Sequence, residues 1–252
     1  MRCSSCGKSD IGRVRKTNQD AFLCDDEIGL YVVADGMGGH AAGEVAAQES
    51  VQAIHDMIVR GRDVVRDFLS VPATRESTRT ICRLLESAVQ SATYMVYGLA
   101  EQKPGCEGMG TTVSALLLSG AYGITAQVGD TRIYCIRGDD VIQLTEDHTL
   151  VNWQIREGML TPEEGARSPH RNVITRAVGN HDYVQVDTQV ISVRPGDKFL
   201  ICSDGLHGYV KRGEIGAILA GELPAACDTL LNLANQRGGR DNITAVAIEV
   251  LG

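Results

Sequence analysis

The chain holds 252 residues, enough for one domain with a sizeable core, and its apolar and charged content is ordinary for a globular protein. Acids outnumber bases, for a formal net charge of −8; this argues against nucleic acid or an anionic membrane as a partner but leaves room for a small anion at a local positive site. No stretch suits a bilayer span, since the best, "TTVSALLLSGAYGITAQV", is broken by Ser119, Gly120 and Gly123, and no apolar signal core opens the chain, which points to the cytoplasm.

Cys3 and Cys6 form a single C-x-x-C with no second ligand pair nearby. A structural zinc usually needs four ligands, so residues 1–9 read as a frayed N-terminal extension. The other cysteines, such as Cys82, Cys135 and Cys202, sit in core-like segments and read as reduced, buried thiols. Residues 11–34 suggest a hairpin, with strands Ala21 to Cys24 and Gly29 to Ala34 around the turn "DDEI". The period then changes. Ala47, Val51, Ile54 and Ile58 share one helical face between Ala41 and about Arg60. A second helix, about Ser77 to Tyr97, stacks Ile81, Leu85, Ala88, Ala92 and Met95, with Gly98 as its stop.

From Thr111 the pattern becomes β, with "TTVSALLLSG", "YGITAQVGD", "TRIYCIRGDD" and "VIQL" reading as a meander. Residues 146–172 are polar and irregular, with a short helical piece around Trp153. The β pattern returns at Val184 to Val193 and at Phe199 to Ser203. Two short helical patterns follow, Glu214 to Ala220 and Ala225 to Asn235, before the closing strand "NITAVAIEVL". Runs of strands with helices in separate pairs predict mainly antiparallel sheets with helices packed outside, an α+β layered fold.

Four aspartates stand at the mouths of these apolar runs: Asp35 in "LYVVADGMGGH", Asp130 in "ITAQVGD", Asp204 in "FLICSDG" and Asp241 in "GGRDNITAV". Turn chemistry explains any one of them, because Asp-Gly is a favoured turn pair. It explains Asp35 poorly, since a helix rather than a return strand follows Gly36. Carboxylates converging on one place repel unless a cation joins them, and hard oxygen ligands without a Cys or His pair favour Mg²⁺ or Mn²⁺ over zinc. "GMGGHA" matches a dinucleotide fingerprint, with Asp56 at a suitable distance. Its context speaks against that reading, because two helices follow instead of a βαβ unit. "GRVRKTNQD" sets Arg13, Arg15 and Lys16 ahead of Asp20. An arginine fork suits phosphate, although on spacing alone a solvated basic turn is the simpler account. His40, at a helix entrance, reads first as a capping or surface histidine.

Taken in order, "GRVRKTNQDA", "VVADGMGGHAAGE", "GMGTTVSALLL", "AQVGDTRIY", "LTEDHTLV", "RNVITRAVG", "LICSDGLHGYV" and "GGRDNITAVAIEV" resemble the metal-dependent protein serine/threonine phosphatases of type 2C, in their compact bacterial form. The resemblance covers nearly the whole chain apart from "CSSCGKS". It implies a single catalytic domain built as a four-layer αββα sandwich, two central antiparallel sheets flanked by helix pairs. By the same analogy Asp35 bridges two Mn²⁺ or Mg²⁺ ions, the carbonyl of Gly36 serves one, Asp204 and Asp241 serve the other, and Asp20 acts nearby through water. Asp130 matches a residue tied to a third, looser ion. Arg15 matches the phosphate-binding arginine, and His40 takes the place of a general acid. Residues of about 148–180 correspond to a variable flap. Gln19 stands where many members carry Glu. The implied reaction is direct attack of activated water on phosphoserine or phosphothreonine, with no phosphoenzyme, in a monomer that reverses a Ser/Thr kinase. Two rivals remain: a two-metal phosphoesterase for a small metabolite on the same scaffold, and a module that binds phosphoproteins without turnover. Retention of Asp35, Asp204, Asp241 and Arg15 together counts against the second.

Overall fold

The computed structural model describes residues 2–38, 42–70 and 74–252. In chain order they form β1 (Arg2–Asp10), β2 (Asp20–Asp25), β3 (Leu30–Met37), α1 (Ala42–Arg60), α2 (Arg62–Ser70) and α3 (Arg75–Gln102). There follow β4 (Gly110–Thr111), β5 (Val113–Ser119), β6 (Tyr122–Val128), β7 (Arg132–Arg137), β8 (Asp140–Gln143), α4 (Leu150–Arg156) and α5 (Pro162–Arg167). The chain ends with β9 (Asp187–Ser192), β10 (Lys198–Cys202), α6 (Asp204–His207), α7 (Arg212–Leu219), α8 (Leu223–Gln236) and β11 (Ile243–Leu251). Among the described residues the strands make two antiparallel sheets, ordered β2-β3-β5-β6-β9, with β4 on β3, and β1-β11-β10-β7-β8.

Strand alternation explains why the layers stack as they do. On β3, Leu30, Val32 and Ala34 face α1 and α3, where they meet Ala47, Val51, Ile54, Ile81 and Leu85. The intervening Tyr31 and Val33 face the other sheet and pack with Phe199, Ile201, Val246 and Ile248. The outer face of that second sheet, with Leu200, Cys202, Ala245 and Ala247, is covered by Ile215, Leu219, Leu230 and Ala234 of α7 and α8. Each central strand is therefore buried on both faces, which is why it reads as a continuous apolar run rather than as an alternating one. The result is the expected helix–sheet–sheet–helix sandwich.

Four local expectations are corrected. The N-terminal segment is not frayed. It forms β1, paired with β11 from Arg2↔Leu251 to Asp10↔Ile243, and covers what would otherwise be a sheet edge. Its Ser, Lys and Gly residues hide the strand signal, while Cys3 packs into the inter-sheet core and Cys6 against the α8 side. The meander is split: β6 and β7 belong to different sheets, and the chain crosses between them at Gly129 to Thr131. Gly98 does not stop α3, because Leu99 and Ala100 still pack against Ala46 and Met109 and the cap falls at Lys103. Finally, α2 went unread, and "TPEEGAR" is not irregular: Thr161 and Glu164 form a capping box with Pro162 in the first turn of α5.

Candidate active site

The inter-sheet core ends in polar residues at one mouth of the sandwich. The face of β3 that carries Tyr31 and Val33 continues to Asp35, and Asp20 on β2 stands directly opposite it in register. Like charges in opposed positions on one sheet face repel. Asp20 Oδ2 accepts hydrogen bonds from Ser203 Oγ (2.8 Å) and Thr244 Oγ1 (2.6 Å), which project from the ends of β10 and β11. Its Oδ1 is buried with no hydrogen-bond partner.

The backbone around Asp35 is clamped. Its N–H donates to Thr112 Oγ1 (3.2 Å), and its carbonyl accepts from Thr112 N–H (2.9 Å) and Thr111 Oγ1 (2.9 Å). Gly36 is required by close approach: a Cβ there would lie 2.0 Å from the Gly43 carbonyl oxygen and 2.6 Å from that of Gln19. Asp204 opens α6 immediately after Ser203, and Asp241 precedes β11. Arg15 Nη2 donates to Asp241 Oδ2 at 2.7 Å. The loop carrying Arg15 is held by buried Asn242, whose Nδ2 donates to the Ile11 and Thr17 carbonyls (3.0 Å each) and whose Oδ1 accepts from Gln19 N–H (2.8 Å). Asp130 sits in the crossing between the sheets, its backbone carbonyl accepting from His207 Nε2 at 2.9 Å. His40 lies outside the described residues.

Burial and mutual repulsion shape the charges. Burial first, and then Asp20, Asp204, Asp130 and Asp241, hold the Asp35 carboxyl well above the usual carboxylate range. Burial also raises Asp20, against the hydrogen bonds from Thr244 and Ser203. Asp204 is raised by burial and Asp241, and partly relieved by Arg15 and a hydrogen bond with Asp35. Asp130 is pushed up to about 7 by burial, with Asp204 and Asp147 adding to it. Five carboxylates thus crowd one mouth, with Arg15 as the cation paired to Asp241.

Among the described residues no three carboxylate, imidazole or thiol groups already enclose an ion between them. The donor set nevertheless fits hard divalent cations: the groups are all oxygen, the buried Asp20 Oδ1 lacks a partner, and the carboxylates repel as they stand. From Asp130, Asp204 and Asp241 a cleft of about 860 Å³ runs along α4 and α5, past Asn152, Ile155, Gly165 and Arg171. The flap expected at residues 148–180 forms the far wall of this cleft, tied down by Leu150 N–H to the Val173 carbonyl (2.8 Å) and Thr175 N–H to the His148 carbonyl (2.8 Å).

Comparison with known proteins decides the family. The model for protein phosphatase 2C matches residues 6–244. The chain belongs to the protein phosphatase 2C family. Membership makes it a protein phosphatase, a phosphoric monoester hydrolase. It is 34% identical to the serine/threonine phosphatase stp of Listeria innocua, over 96% of this chain and 94% of that one. It is also 34% identical to the protein phosphatase PhpP of Streptococcus pneumoniae, over 96% and 95%. Among solved structures, the serine/threonine phosphatase PstP/Ppp of Mycobacterium tuberculosis superposes with a TM-score of 0.88 at 33% identity, covering 100% of both chains. A catalytic domain of PstP in complex with 2 manganese ions gives 0.84 at 32% identity, covering 100% of this chain and 99% of that one.

Asp20, Asp35, Gly36, Asp204, Asp241 and Arg15 thus come together at one mouth of this phosphatase, with Asp130 at its flank. The dinucleotide reading of "GMGGHA" finds no support, since Asp56 lies inside α1 and accepts from Gln52 Nε2 at 2.8 Å. Sequence reasoning missed Ser203, Thr244, Thr112 and Asn242. Ser203 and Asn242 adjoin Asp204 and Asp241, where the signal was a hydroxyl or amide beside a strand-end aspartate; Thr112 meets Asp35, and Thr244 meets Asp20 from the opposite sheet, only through the fold.

Proposed function

We propose that this phosphatase hydrolyses phosphoserine and phosphothreonine in proteins, using two core Mn²⁺ or Mg²⁺ ions and a third at Asp130. Asp35, the Gly36 carbonyl, Asp204 and Asp241 would hold the core pair, with Asp20 acting beside them. The observation that carries this reading is the convergence of buried and half-buried, mutually repelling carboxylates around the unpartnered Asp20 Oδ1. When bound, the ions would lower the pKa of water and neutralise charge building on the phosphoryl group.

The chain's own groups do the rest. Arg15, half exposed at the mouth, exchanges its contact with Asp241 for two non-reacting phosphate oxygens, a geometry that a guanidinium fork matches. Ser203 and Thr244 aim Asp20 inward, and their hydrogen bonds favour its ionised form against the burial that raises it. A proton reaches the departing Ser or Thr oxygen from water or His40. The open cleft beneath the flap suits an extended phosphorylated segment better than a small metabolite, which would be enclosed. The opposing partner is a Ser/Thr kinase, and the enzyme works as a monomer in the cytoplasm. Eight unpaired cysteines support that compartment, and among the described residues no helix is long and apolar enough to cross a membrane.

The test compares phosphothreonine peptides, phosphorylated protein and a panel of small phosphate esters in Mn²⁺ buffer. The reading expects kcat/KM to favour peptides and protein. A marked preference for one small ester would support the metabolite enzyme, and binding without phosphate release would support the non-catalytic module.

A further inference from the structure

The crossing that bears Asp130 begins at Gly129, whose φ of +98° lies in the left-handed region; a Cβ there would fall 2.5 Å from the Thr112 side chain. A glycine frees the backbone, so something else must hold the direction in which Asp130 projects. Two histidines grip this segment from opposite sides. Gly129 N–H donates to His148 Nδ1 (3.1 Å), and His148 N–H returns a bond to the Gly129 carbonyl (2.9 Å). His207 Nε2 donates to the Asp130 carbonyl (2.9 Å). Because Nδ1 of His148 accepts, its proton sits on Nε2 and is given to Asp187 Oδ2 at 3.1 Å; Arg176 Nη1 lies 3.1 Å from the same Nε2 but, on this tautomer, finds no acceptor there. Arg176 Nη1 in turn donates to Asp187 Oδ1 at 2.8 Å.

His148 therefore joins the base of the flap to the Asp130 segment, and His207 joins it to the helix that begins at Asp204. We propose that His148 and His207 are positioning residues for the cation site at Asp130, acting through the hydrogen bonds by which they hold its backbone. This rests on the reading of Asp130 given above. Outer partners that orient a ligand typically change metal affinity by about 10–100-fold when lost. Neither histidine touches the reacting phosphate in this account. Their effect passes through the backbone on which Asp130 stands.

Matched substitutions separate positioning from packing. His148→Asn keeps an acceptor near the Nδ1 position, whereas His148→Gln moves it away. His207→Gln keeps a donor near the Nε2 position, whereas His207→Asn withdraws it. Calorimetric Mn²⁺ titration of the full chain, with thermal unfolding measured alongside, reads the result. The proposal expects His148→Gln and His207→Asn to weaken the loosest Mn²⁺ step about tenfold or more, with the tighter steps unchanged. His148→Asn and His207→Gln should recover most of that loss. Four isotherms like wild type, beside an Asp130→Ala variant that loses the loose step, would overturn the clamp alone. Equal losses within each pair would also overturn it, since packing rather than hydrogen bonding would then be at work. An unchanged isotherm for Asp130→Ala would remove the reading of Asp130 and the clamp with it.

Discussion

Carboxylates that await a cation should destabilise the metal-free protein, and Asp130 allows the size of this effect to be worked out. Its carboxyl is buried, and its pKa rises from an ordinary 3.8 to about 7, through burial first and then Asp204 and Asp147. The folded state therefore holds this proton more tightly than the unfolded chain does. The penalty is absent below the unfolded value near pH 4, grows as pH rises, and is complete above about pH 7. A gap of roughly three on the pH scale, at about 1.36 kcal/mol apiece, corresponds to about 4 kcal/mol. Neighbouring charges readjust once this one is gone, so Asp130→Asn should recover about half of it. In a chain of this size that is roughly 4–8 °C in Tm. The assay is calorimetric unfolding in chelator at pH 5 and pH 7.5. Asp130→Asn should raise Tm at pH 7.5, raise it by less than half as much at pH 5, and gain less than wild type from added Mn²⁺. A Tm at pH 7.5 that is unchanged or lowered would refute the crowding argument.

Three further outcomes are expected. Arg15→Ala should raise KM for phosphopeptide clearly with a smaller fall in kcat, and Arg15→Lys should recover only part of the loss; an unchanged KM in both would pass the phosphate to Arg13 or Lys16. Asp204→Asn and Asp241→Asn should each lower turnover by several orders of magnitude without loss of Tm, and near-normal rates in either would remove that residue from the site. Gly36→Ala, which sets a methyl 2.0 Å from the Gly43 carbonyl oxygen, should cost about 1–3 kcal/mol and weaken Mn²⁺ binding; a variant that matches wild type in both would show that the strand end yields freely.

The central strands were legible because both their faces are buried, so that Leu30 to Ala34 and Phe199 to Cys202 stand out as apolar blocks. The strand-end aspartates were legible for the same reason, as charges abruptly ending such blocks. What local pattern could not carry was pairing at a distance. The strand β1 exists because β11 offers it nine partners, not because "RCSSCGKSD" prefers extended structure. Likewise Gly98 ends a helix in isolation, yet here Ala100 finds a buried seat and α3 continues. The hydroxyls that serve Asp20 come from Ser203 and Thr244, 183 and 224 residues away along the chain, so their role appears only once two sheets are folded face to face. His148 and His207 escaped notice because what they hold is backbone, which the sequence does not mark.

The decisive measurement is phosphate release from a phosphothreonine peptide by chelated protein, by the same sample after Mn²⁺ is restored, and by Asp35→Asn in Mn²⁺. A metal centre built on Asp35 gives no release in chelator, full recovery with Mn²⁺, and a loss of several orders of magnitude in Asp35→Asn even with Mn²⁺ present. Release in chelator at the Mn²⁺ rate, or near wild-type turnover by Asp35→Asn, would contradict it.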